Sequence, residues 1–167
     1  MRLITNLKFS REEFEARLRF KTNPVGQITP HLQHLALDLL EMMYNINAIG
    51  LAANQVSLSM QLCVLDPAFL YNKKMPIVMF NPCIIEHGEE LYDSMEGCLS
   101  LPEFGLPIPR FRKIVVKYIG MDGLEHIIKD DNSLLSSCLQ HEIDHLNGIL
   151  MVDRLTEKKE IPFNKGD

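Results

Sequence analysis

The chain has 167 residues, 46% hydrophobic and 23% charged, with a net charge of −5. That length suits one domain over residues 1–167 with one core. The acidic balance offers no Lys/Arg stripe for nucleic acid, and no apolar run approaches the roughly 18–20 residues of a membrane span.

Residues 1–28 mix charges with Phe9, Phe14 and Leu18, which are placed to cover a core. Glu12, Glu13 and Glu15 interrupt any transit-peptide pattern and no apolar h-region follows, so a cytoplasmic location is expected. The four cysteines, Cys63, Cys83, Cys98 and Cys138, allow three disulfide pairings. Nothing in the chain looks secreted, so they read as thiols. Cys63 and Cys83 lie in apolar, strand-like runs and read as small buried hydrophobes.

Thr29-Pro30 opens a helix, with a capping hydroxyl followed by proline at the first helical position. Leu32, Leu35, Leu39, Met42 and Ile46 then recur at helical spacing, which makes it amphipathic. His31 and His34 near its start read as surface residues.

Small residues cluster next in Ala48-Ile49-Gly50-Leu51-Ala52-Ala53-Asn54-Gln55. Two readings stand side by side. One is a tight connection where glycine and alanine fit; the other is a floor for an extended substrate, with Gln55 as a hydrogen-bond donor.

Strands are expected over 61–66, 77–80 and 83–86, the last two broken at Asn81-Pro82. Lys113 to Ile119, the turn Met121-Asp122-Gly123, and Leu124 to Ile128 read as a hairpin. Ile149 to Val152 reads as a short last strand, and from Thr156 the tail is polar. A run of strands between helices implies an α+β fold with antiparallel sheets; the sheets are expected to pack around a central α-helix, whose metal-binding residues follow, with an amphipathic helix on the N-terminal side.

That central helix carries Gln140-His141-Glu142-Ile143-Asp144-His145-Leu146. Asp131-Asn132-Ser133 supplies capping oxygens and Gly148 a stop. His141 and His145, four apart, share one face and can grip one metal ion, with Glu142 placed to handle protons beside it. The plain alternative is a solvated polar face. A catalytic metal wants three protein ligands and one open position. Cys98, expected on a turn between strands within Glu96-Gly97-Cys98-Leu99-Ser100, is the candidate third ligand. Cys138, one turn before the histidines, reads as packed rather than ligating.

These three stretches, in this order, resemble the three motifs of the peptide deformylases, from about Thr29 to Val152. The resemblance implies that Cys98, His141 and His145 hold one divalent metal ion, Fe(II) first, with Zn, Ni or Co as replacements. Its implied substrates are N-formylmethionyl nascent peptides, from which formate is released. The implied catalytic groups are Glu142 as proton carrier, with the Gln55 side-chain amide and the Leu99 backbone N–H meeting the developing oxyanion. Gly50 and its neighbours would pair with the peptide, and Ile49, Leu134 and Cys138 would line the methionine pocket. Ser137 is more polar there than such a pocket calls for. Glu96, Arg110 and Asp144 are placed around the ligands, orienting a histidine or forming an ordinary structural ion pair.

The chain departs from the family pattern in three places. Ala48 stands where the first glycine of the first motif is expected, and Phe104-Gly105 where many bacterial members carry a basic residue. The short polar tail implies weak or absent ribosome docking. A monomer is the expected state. The rivals are a metallopeptidase cutting internal bonds and a non-catalytic module that binds metal or formyl-peptides.

Overall fold

The structure, a computed structural model, describes residues 10–131 and 134–155, and only the backbone at 11 and 102–104. The expectations for Phe9, for the caps Asn132 and Ser133, for the Phe104 side chain and for the tail from Thr156 lie outside the described residues.

Ser10 and Glu13 close a capping box that starts α1 (Arg11–Leu18). Phe14 and Leu18, one turn apart, are fully buried. Thr29 starts α2 (Pro30–Asn45) as its sequence implies, its hydroxyl accepting from the Leu32 N–H at 3.3 Å. The most buried stripe of α2 is Ala36, Leu39 and Met43, and His31 and His34 are exposed.

Five strands make one antiparallel sheet: β1 (Gly50–Ala52), β2 (Leu62–Leu65), β3 (Ile77–His87), β6 (Lys113–Ile119) and β7 (Glu125–Asp131), ordered β1-β2-β3-β6-β7. Every residue of β2 is buried. Leu62 and Val64 pack with α2, while Cys63 and Leu65 face the other way, towards α3 (Leu134–Leu146). A strand covered on both faces has no polar side to show, which is why its sequence is continuously apolar.

Four expectations are corrected. The stretches 77–80 and 83–86 form one strand rather than two, with a register shift between Phe80 and Cys83. Asn81 takes φ 51° there and exchanges hydrogen bonds of 2.7 Å with both backbone groups of Val25. The bulge accommodates Pro82, which has no N–H to give the ladder. Cys83 is exposed rather than buried. Residues 149–152 form no strand; Met151–Arg154 is a 3₁₀ turn in which Asp153 accepts from the Leu150 N–H at 2.8 Å.

The fourth correction concerns β4 (Leu91–Cys98) and β5 (Leu101–Phe111), an antiparallel hairpin paired from Leu91↔Phe111 to Cys98↔Leu101. Cys98 is therefore the last residue of a strand, not a turn residue. The hairpin, α1 and the 149–155 segment share a cluster of Phe14, Leu18, Cys98, Leu101, Ile108 and Met151.

Helix α3 thus lies between the sheet and the hairpin, and the fold is α+β with antiparallel sheets about this helix. Its apolar face (Leu139, Ile143, Leu146) packs on Ala52, Cys63, Met79 and Val116. Gly148 stops it at φ 74°, and an added Cβ would lie 2.7 Å from the Arg19 backbone carbon. Only glycine combines that backbone angle with that approach. No helix among the described residues is long and apolar enough to cross a membrane.

Candidate metal centre and active-site cleft

The polar face of α3 meets the inward face of β4. Along β4, exposure alternates from Leu91 to Cys98, so Ser94, Glu96 and Cys98 point inward. Cys98 Sγ lies 3.2 Å from His145 Nε2. One ligand atom each from Cys98, His141 and His145 falls within 4.8 Å of the others, an arrangement able to hold a metal ion. His141 Nδ1 lies 2.9 Å from Glu96 Oε2, which leaves Nε2 for the centre.

Burial pushes the Cys98 thiol up, but His145 and His141 outweigh it and hold the thiol well below its ordinary range. The thiolate, the form that binds metal, is therefore favoured. Burial pushes His141 down, yet hydrogen bonds to Cys98 and Glu96 hold it well above its ordinary value. His145 Nδ1 has no hydrogen-bond partner among the described residues, although buried.

Glu142 lies beside this group, buried, with Oε2 unpartnered among the described residues. Burial pushes its carboxyl up to about 7, against the lowering effect of His141 and His145. Its other oxygen sits directly over Gly50, where an added Cβ would collide with it. Glycine at 50 is thus set by the carboxylate above it. Gln55 Oε1 accepts from the Ala52 N–H at 2.9 Å, which turns Nε2 towards Ser100 Oγ at 3.0 Å, with Cys98 Sγ 3.9 Å away.

A buried charge chain supports the ligands. Arg110 donates to both oxygens of Glu96 at 2.7 and 2.9 Å, and to Asp144 at 2.5 Å. Arg154 donates to both oxygens of Asp144, sharing Oδ2 with Arg110. Burial raises the Glu96 carboxyl, but its hydrogen bonds to Arg110 and His141 prevail and hold it below the usual range.

A cleft of about 390 Å³ opens onto this centre. Ile49, Gly50, Leu134 and Cys138 line it as expected, and so does Leu99. Ala48 and Ser137 line it too. The structure therefore brings the expected ligands, proton carrier, oxyanion donors and pocket residues to one place, Arg110 and Asp144 lying just behind the ligands.

Five contributors escaped the sequence reading. Ser94 lines the cleft. Ser100 receives Gln55, and Arg154 extends the charge chain. Asn54 Nδ2 donates to the His145 carbonyl at 2.5 Å, fixing the end of α3. Gln140 brackets the Phe111 backbone with two bonds of 2.9 Å, tying α3 to the hairpin. Asn54 and Gln140 each stood beside a residue that drew the attention, and neither type carries a chemical signal alone.

A thiolate and two imidazoles around one point, with an unpartnered carboxylate beside them and a cleft in front, define a metal-dependent hydrolase. The family model of the polypeptide deformylases matches residues 11–160. Peptide deformylase of Agrobacterium fabrum is 38% identical over 142 residues, covering 85% of this chain and 83% of that protein. That of Methylocella silvestris is 42% identical over 148 residues, covering 87% and 75%. Among solved structures, a Synechococcus elongatus peptide deformylase in complex with actinonin superposes with a TM-score of 0.83 at 34% identity, covering 94% of this chain and 81% of that one. Peptide deformylase from Thermotoga maritima gives 0.80 at 32% identity, covering 93% and 97%. The chain belongs to the polypeptide deformylase family. Its activity is removal of an N-formyl group through a metal site.

Proposed function

We propose that residues 1–167 act as one catalytic domain that deformylates newly made polypeptides beginning with N-formylmethionine, as a monomer in the cytoplasm. The observation that carries the mechanism is Glu142: a buried carboxylate with one unpartnered oxygen, set against a Cys-His-His cluster at the head of the cleft.

The donor set fits a divalent cation, because Cys98 is poised as thiolate and Glu96 occupies His141 Nδ1. Cys98, His141 and His145 would hold the ion, with Fe(II) first among Fe, Zn, Ni and Co. Such an ion supplies Lewis-acid activation of water and of the formyl oxygen. The remaining chemistry falls to the protein. Glu142 takes the proton of the attacking water at its free oxygen and returns it to the leaving nitrogen. Gln55 Nε2, aimed by the Ala52 N–H, and the Leu99 N–H meet the oxyanion, a donor of this kind contributing about 10²–10³ in rate. Gly50 and its neighbours pair with the extended peptide. Ile49, Leu134 and Cys138 receive the first side chain.

The test is formate release from formyl-Met-Ala-Ser, with acetyl-Met-Ala-Ser alongside, by anaerobically prepared Fe(II)-loaded protein. Release from the formyl peptide alone supports the assignment. No release, with metal bound, favours a binding module instead. Comparing lifetimes in air addresses the metal: a thiolate on iron is oxidation-prone, so the iron form should fade while the zinc form persists.

A further inference from the structure

The contacts between β4 and α3 form a ladder. Cys98 meets His145 at 3.2 Å and Glu96 meets His141 at 2.9 Å. Each rung advances two residues on the strand, about 6.7 Å, and four on the helix, about 6 Å, so the steps nearly match. The same step from Glu96 and His141 leads to Ser94 and Ser137. Both are buried, at 7% and 3% exposure, and both line the cleft. They stand between the metal ligands and Leu134, the pocket-lining residue one helical turn before Ser137.

The two hydroxyls differ. Ser137 Oγ donates to the Leu134 carbonyl at 3.1 Å, so only its lone pairs remain for the cleft. The Ser94 hydroxyl makes no hydrogen bond among the described residues, so its O–H is free to donate. An unmodified methionine thioether, a weak acceptor, displaces water from that donor and returns little. A side chain with an oxygen at that depth satisfies it.

We propose that Ser94, facing Ser137, makes this pocket accept N-formyl peptides whose first side chain carries a hydrogen-bond-accepting oxygen, N-formylmethionine sulfoxide being nearest in shape to formylmethionine. Ser94 donates to the sulfoxide oxygen, and the hydrolysis is the same one, water and formamide giving amine and formate. The proposal rests on the deformylase function above and extends its substrate class.

The experiment compares kcat/KM for formyl-Met-Ala-Ser and formyl-Met(O)-Ala-Ser in the metal-loaded protein, Ser94→Ala and Ser94→Thr. A pocket without a donor aimed at the added oxygen rejects such an analogue by about 10². The expected sulfoxide-to-methionine ratio is within about tenfold of unity in the unaltered protein; losing the donor should lower it by about tenfold or more in Ser94→Ala, and keeping a hydroxyl in Ser94→Thr should restore it. A ratio that Ser94→Ala does not move overturns the proposal while leaving deformylation of formyl-Met-Ala-Ser standing. Absence of turnover on both peptides overturns the deformylase function. The affinities of the same two peptides for the metal-free chain, measured by calorimetry, then decide the Ser94 preference on binding alone, equal discrimination in all three proteins overturning it.

Discussion

The two β regions of this molecule are built on opposite terms. The five-stranded sheet turns Leu62, Val64, Cys63 and Leu65 to its two faces and is held by burial between α2 and α3. The β4–β5 hairpin turns Ser94, Glu96 and Cys98 inward, and Arg110 of its second strand lies buried between Glu96 and Asp144. Apolar burial is forgiving and independent of pH, whereas a buried charge chain is costly to break and depends on protonation. The scaffold is carried by the first kind of interaction and the reactive centre by the second.

The sharpest way to break this contrast is to remove one partner on each side. Arg110→Ala leaves Glu96 and Asp144 as buried carboxylates with a lost partner and should cost about 3–5 kcal/mol at neutral pH. Leu62→Ala in the sheet should cost about 2–5 kcal/mol through a cavity. Denaturant melts measured at several pH values separate the two. Held low by Arg110, Glu96 contributes stability that is present above the ordinary carboxylate value and lost as pH falls through its lowered one. Without Arg110, less opposes the burial that pushes that carboxyl up, so protonation relieves the variant at higher pH than it costs the unaltered protein. The gap between the unaltered protein and Arg110→Ala should therefore close on acidification, while the Leu62→Ala gap stays constant. Parallel behaviour of both variants would erase the distinction.

Gly50→Ala tests the seam between the regions, where the sheet's first strand touches the reactive carboxylate. The added Cβ displaces Glu142, and a misplacement on the order of 1 Å can cost about 10²-fold in rate. Formate release should fall by that order with metal content unchanged. The smallest effect belongs to the thiols. Exposed Cys83 should react fast with a thiol reagent, Cys138, at the cleft wall with its thiol raised by burial, slowly, and Cys63, fully buried and raised likewise, only on unfolding. Cys83→Ser should leave stability and activity within error.

The same contrast governs how much could be read from the residues. The sheet was legible, β2 and β6 almost to the residue, from an apolar run and the turn chemistry at 121–123, while β7 runs three residues past its expected end and takes in Asp131, expected as a helix cap. The metal ligands were legible for a different reason, since the His141/His145 spacing and Cys98 carry chemistry of their own. Strand β4 stayed hidden because its inward positions Ser94 and Glu96 are polar while Met95 faces out, so the alternation that marks a half-buried strand was inverted. The single strand β3 was hidden because Asn81-Pro82 signals a break, and the Val25 contacts that rescue it are distant in sequence. Asn54, Gln140 and Arg154 act through long-range bonds to backbone or charge that no local pattern announces.

The most direct measurement is on Glu142→Gln, which keeps shape and removes the proton carrier. Metal bound per chain and formate release from formyl-Met-Ala-Ser should be measured on the same preparation. Undiminished metal with a rate lowered by about 10²–10⁴ is the result expected if Glu142 moves the proton beside a Cys98-His141-His145 centre. A retained rate, or loss of the metal together with the rate, would contradict it.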